Sequence, residues 1–105
     1  MSRGFVLEAE QVAREAESRA PAVVWQDFAS ITTAGTRVYV NGSTQESVYL
    51  SGTTQITANV QTLPLITFPA GSGGLTVVVE AAVVANSQTW KTGIIYRVLK
   101  PGSAR

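Results

Sequence analysis

The stretch LTVVVEAAVVA, residues 75–85, decides how this chain folds. Side chains of a strand point alternately to opposite faces. Leu75, Val77, Val79, Ala81, Val83 and Ala85 therefore share one apolar face, while Val78, Ala82 and Val84 make the other face apolar as well, interrupted by Glu80. A small antiparallel sheet usually turns one face to water, so a strand with two dry faces is either central in a covered sheet or part of a subunit interface. Glu80 and the shortness of the run rule out a bilayer span.

Working outward, residues 23–33, 36–40, 47–50, 54–68 and 89–99 are also rich in β-branched and aromatic side chains, with turn formers between them. Strands at this density predict a mainly β protein, a small antiparallel β-sandwich or jelly-roll-like barrel. Within 54–68, Ile56, Ala58 and Val60 alternate with Gln55, Thr57, Asn59 and Gln61, which predicts one strand with a dry face and a wet, uncharged one. Pro64 splits that run or marks a sheet edge. Asn41-Gly42 fits a two-residue hairpin turn, and Ser51-Gly52 and Asn86-Ser87 are weaker turn signals. Residues 69–74, with Gly71, Gly73 and Gly74, read as the most mobile connection.

The N-terminal segment reads differently. Phe5, Ala9, Val12, Ala13, Ala16 and Ala20 recur at three- and four-residue intervals, and Glu10 with Arg14 and Glu15 with Arg19 form i,i+4 pairs. This spacing predicts an α-helix over residues 5–20, closed by Pro21. The expected organisation is an arm and helix over 1–21, a β-sandwich over 22–100 and a tail over 101–105. The helix covers one face of the β body or clamps a partner.

Composition excludes more than it identifies. Between Phe28 and Trp90 the charged side chains are Arg37, Glu46 and Glu80 alone, and the whole chain is 14% charged. Ordinary soluble domains carry roughly 25%. A surface so poor in charge points toward protein partners more than toward water. With no histidine and no cysteine, Ser-His-Asp and Cys-His catalysis and His or thiolate metal sites are unavailable. Asp27, Glu46 and Glu80 are isolated in sequence, so no carboxylate pair is indicated and no catalytic residue, cofactor or metal is expected. The glycines near residue 73 lead into a strand, unlike a phosphate cradle that opens a helix.

Charge is also split along the chain. Glu8, Glu10, Glu15 and Glu17 lie near the start, and Lys91, Arg97, Lys100 and Arg105 near the end. Four spread cations argue against nucleic acid as the main ligand. Residues 5–7 are too short for a signal-peptide apolar region and acids follow at once, so synthesis in the cytoplasm without a signal peptide is expected. Tyr39, Tyr49 and Trp90 are candidates for stacking on a sugar, the mode of a carbohydrate- or cell-surface-binding module. Trp25 and Trp90 read first as core or interface plugs.

The alanine-lined N-terminal segment, the Thr/Ser/Gly-rich body of residues 41–60, whose one charged residue is Glu46, and the basic tail KPGSAR together resemble small tailed-phage virion proteins, of the capsid decoration or cement kind or the neck and tail accessory kind. The resemblance implies a non-enzymatic structural protein that binds capsid or tail subunits, as a homo-oligomer with a trimer favoured, and no membrane. Phe5, Leu7, Val12, Ala16, Val78 and Val84 are the expected partner-contacting residues.

Overall fold

A computed structural model describes the backbone of residues 6–102 and the side chains of residues 10–102. The chain is mainly β. Its elements are β1 (Val6–Arg14), β2 (Ser18–Arg19), β3 (Ala22–Val24), β4 (Thr32–Val40), β5 (Ser43–Thr44), the helical turn α1 (Glu46–Tyr49), β6 (Leu50–Ser51), β7 (Gln55–Thr57), β8 (Val60–Thr62), β9 (Leu65–Thr67), β10 (Thr76–Ala85) and β11 (Gln88–Leu99). The largest sheet has the order β1-β11-β10-β4-β5. The doubly apolar strand is β10, near its middle, paired antiparallel with β11 and with β4.

The expected N-terminal helix is absent: Val6–Arg14 is a strand, parallel to β11, with Ala13 opposite Val98 and Val12 opposite Arg97. Two i,i+4 pairs add only a few tenths of a kcal/mol each to a helix, whereas the free edge of β11 offers a whole ladder of backbone partners. The charges of the helical reading are used in tertiary contacts instead. Glu10 Oε1 lies 3.6 Å from Arg97. Glu15 Oε2 accepts from the Gly73 N–H at 2.8 Å. Arg19 donates to the Val12 carbonyl at 2.7 Å and to Glu17 Oε2 at 2.9 Å. Phe5 lies outside the described residues.

Two three-stranded sheets, β2-β9-β6 and β3-β8-β7, form a single ladder interrupted by proline. Ser18 pairs with Thr67 and Arg19 with Ile66, and beyond the break Ala22 pairs with Thr62 and Val24 with Val60. Pro21 and Pro64 face the interruption, which the Leu63 N–H bridges by donating to the Pro21 carbonyl at 2.9 Å. The break resets the strand's phase. Gln61 and Leu63 point inward before it, and Ile66 and Phe68 after it. Residues 55–61 are consequently not one strand, because Ala58, at φ 52, turns the chain between β7 and β8. The wet face expected at Gln61 is also wrong, since that side chain is fully buried.

These strands pack on one face of the five-stranded sheet. Val23, Leu63, Ile66 and Phe68 meet Val38, Val77, Val79, Ile94, Tyr96 and Val98 in the main core. A smaller core of Ile31, Val83 and Ala85, with Trp25, Phe28, Ile56 and Trp90 against it, fills the end nearest the β10–β11 turn. Gln61 joins the two layers where the cores meet: its Oε1 accepts from Trp25 Nε1 at 3.1 Å and its amide donates to the Ala82 carbonyl at 3.5 Å. The turns at Asn41-Gly42 and Asn86-Ser87 have positive φ at both central residues, the handedness that suits twisted hairpins. Residues 47–50, read as a strand, instead belong mostly to α1, which presents the buried Tyr49 edge-on to Phe68.

Candidate functional site

Register assigns every side chain of the large sheet to a face. Directly opposed residues share a face. Those in line with Val77, Val79, Ala81, Val83 and Ala85 point to the core, and those in line with Val78, Glu80, Ala82 and Val84 point outward. The outward face therefore carries Tyr39, Val78 and Ile95 in one row across three strands, all half-buried. Val12 lies opposite Arg97, and Arg97 opposite Thr76, so Val12 extends the same face onto β1, where it is 37% exposed. Val84 lies further along β10. Among the described residues, no element packs over this row.

Charge surrounds the apolar row. Arg37 is opposite Glu80 and reaches Glu46 at 3.3 Å, and Lys91 Nζ lies 3.9 Å from Glu80. On the other side Glu10 and Arg97 pair at 3.6 Å. All of these except Glu80 are at least a quarter exposed in their side chains, so each pair contributes little to stability. Their effect is to frame an apolar strip with compensated charge.

Of the expected partner-contacting residues, Val12, Val78 and Val84 share this face, Val12 beside the row and Val84 six residues along β10 from Val78, past Glu80. Ala16 does not; it occupies the turn after β1 with φ 70. The backbone of Leu7 is in register with Gly93. The sequence reading missed Ile95 and Tyr39 as members of the row, although the alternation of Thr89, Lys91, Gly93, Ile95 and Arg97 against Trp90, Thr92, Ile94, Tyr96 and Val98 carried the signal. Other apolar side chains are more exposed, namely Val24, Val48 and Leu65, but they sit singly on β3, α1 and β9.

The aromatic candidates do not form one platform. Tyr39 is on the outward face, whereas Trp90, opposite Val83, is on the core face. The Trp90 ring tilts against Phe28 at 5.1 Å, and its Nε1 donates to the Ala85 carbonyl at 3.0 Å. Tyr49 is 5% exposed, and burial raises the pKa of its phenol. Among the described residues no three acidic side chains gather into a metal-holding group. A shallow recess of about 300 Å³, lined by Gly74, Leu75, Thr76, Arg97, Val98, Leu99 and Lys100, lies at the open end of the β10–β11 pair and brings together no acid–base pair.

The loop after β9 is held rather than loose. Ser72 is buried, with its Oγ donating to the Pro69 carbonyl at 2.6 Å, and the Gly74 N–H donates to the Val98 carbonyl at 2.7 Å. No protein-family model matches the chain, and no curated protein sequence matches it. No helix among the described residues is long and apolar enough to cross a membrane.

Proposed function

We propose that this chain is a non-enzymatic structural protein of a virion, which binds and stabilises capsid or tail subunits in the manner of a decoration or cement protein. The small sheets act as the second layer of a sandwich, and the outward face of the large sheet is the partner-contacting surface. One observation carries this reading: the most apolar strand, β10, covers one face with core and leaves Val78 on the other in a half-exposed row with Tyr39 and Ile95. An apolar row framed by compensated charge has the make-up of a small interface patch, with a dry centre and a polar rim.

The low charge of residues 28–90 supports the same reading, since a crowded assembly removes the need for a highly charged surface. The chain acts as a homo-oligomer, with a trimer favoured by the resemblance to decoration proteins. The dispersal of Tyr39, Tyr49 and Trp90 supports reading these rings as packing groups rather than a sugar platform.

The test is incorporation. A tagged copy is expressed in cells that produce the particles, and the particles are purified by sedimentation. The wild-type chain should co-sediment, and Val78→Lys, which adds charge to the outward face and leaves the core intact, should fold normally by circular dichroism yet remain in the soluble fraction. Absence of the wild-type chain from purified particles would defeat the proposal.

A further inference from the structure

We infer that β1 is an exchangeable arm, which a second copy of this chain can receive at the edge of its own β11. This specifies how copies join, and it holds whether or not the assembly is a virion. Three features of the structure point to it.

The first is how β1 is held. It is an edge strand in the only parallel pairing among the described residues. Of its side chains described, only Ala13 is buried. From Glu10 to Arg14 the arm is held by backbone ladder bonds and surface contacts, with the Ala13 methyl as its buried group.

The second is the hinge. The Glu17 N–H donates to the Arg14 carbonyl at 3.2 Å, closing a four-residue turn in which Ala16 stands third with φ 70. That position of such a turn is suited to glycine, because a Cβ there crowds the following carbonyl. Extending the hinge relieves this strain. Strained hinges next to edge strands favour exchange of identical elements between copies.

The third is that the side-chain contacts between arm and body can form equally well between two chains. Glu15 and Glu10 travel with the arm, and they would meet Gly73 and Arg97 of the recipient. Arg19 stays with the body, and its guanidinium would hold the Val12 carbonyl of the incoming arm. Exchange therefore keeps these side-chain contacts and releases the turn, against the loss of the Glu17 N–H bond to the Arg14 carbonyl, while the Ala16 N–H bond to the Phe68 carbonyl at 2.7 Å fixes the body side of the hinge.

Because the chain has no cysteine, a disulfide pair can report the arrangement without background. Val12→Cys with Arg97→Cys places two thiols at opposed, exposed positions of β1 and β11. Chains grown in light and in heavy nitrogen are mixed, unfolded, refolded together at high micromolar concentration, oxidised and digested. In a fully exchanged assembly of random composition, about half of the linked peptides spanning positions 12 and 97 contain one light and one heavy partner.

In a closed monomer none do. Adding Ala16→Gly, which removes the turn strain, should lower the exchanged fraction, with a shift of roughly tenfold per hinge in the association constant. Arg14→Cys with Leu99→Cys repeats the measurement one step along the same ladder, should the first pair fail to fold. Linked peptides of uniform isotope at all concentrations would overturn arm exchange. An exchanged fraction that ignores Ala16→Gly would overturn the hinge as its cause.

Discussion

Tyr96 is among the largest fully buried side chains, and its hydroxyl is buried without a hydrogen-bond partner among the described residues. The ring is well placed: Phe68 packs edge-on at 5.1 Å and the Arg19 guanidinium lies 5.7 Å from the ring centroid. The hydroxyl is the costly part, since a buried polar group without a partner loses about 1–3 kcal/mol of hydration. Tyr96→Phe keeps the ring contacts and should stabilise the fold by about 1 kcal/mol in chemical denaturation. Burial raises the pKa of Tyr96, and the Arg19 charge lowers it by less. Below pH of about 10 both folded and unfolded chains keep the phenol proton. Above it the unfolded chain ionises first, so stability falls as pH rises through the higher folded value. Tyr96→Phe should flatten part of that alkaline decline and leave the share due to Tyr49. A variant less stable than wild type at pH 8, with an unchanged alkaline slope, would show that the hydroxyl has a partner after all.

At the scale of elements, what could be read from sequence was the strand whose pattern is strongest. Residues 75–85 are apolar on both faces and residues 89–99 are rich in β-branched and aromatic side chains, and the two pair residue for residue from Thr76–Arg97 to Ala85–Gln88. The two-residue turns were also legible, because Asn41-Gly42 and Asn86-Ser87 carry their own local chemistry. β1 was not legible. Its alanines and charges satisfy a helical period as well as a strand period, and the deciding factor is the free edge of β11, almost ninety residues away in sequence. Gln61 misled for a related reason, because a polar side chain at a strand position reads as solvent-facing unless its partners, Trp25 and the Ala82 carbonyl, are known. The outward row was legible at Val78 and obscure at Tyr39 and Ile95, which join it only through strand order. The loop at residues 69–74 looked mobile because glycine lacks side-chain contacts. Here the absence of a side chain is what permits docking. A Cβ on Gly73 would stand 2.8 Å from the Lys100 Cα and 2.7 Å from Glu15 Oε2. The carboxylate can swing aside, but the backbone cannot. Gly73→Ala should therefore destabilise the fold by about 1–3 kcal/mol, and adding Glu15→Ala should restore only part of the loss. Equal stability of Gly73→Ala and wild type in urea would mean that the loop is not docked as described.

At the scale of the whole molecule, the five-stranded sheet has edges to protect, and on β1 and on β4 a charged side chain binds an outward backbone group. On β1 the Arg19 guanidinium donates to the outward carbonyl of Val12. On β4 the Glu46 carboxylate accepts the outward Val38 N–H at 3.0 Å, while the Gln45 N–H takes the Val38 carbonyl at 2.9 Å. Beyond Val38, β4 runs through Arg37 to Thr32, Thr33, Ala34 and Gly35, exposed and without charge, where the register shift that leaves Ala34 unpaired opposite Ala82 and Val83 is the further device against a second strand. Glu46 is therefore expected to limit pairing through this edge, in a protein whose proposed work is association. Glu46→Ala frees the Val38 N–H and removes the charge. It should cost about 1.5–3 kcal/mol of stability, the range for a hydrogen bond to a charged group, and it should also raise light scattering under native conditions. Glu46→Gln keeps an acceptor and loses the charge, so it should lie between the two. Comparing the three chains at conditions of equal folded fraction separates edge protection from plain destabilisation. If Glu46→Ala then scatters no more than wild type, the open strand at Thr32–Gly35 is guarded by something other than this carboxylate.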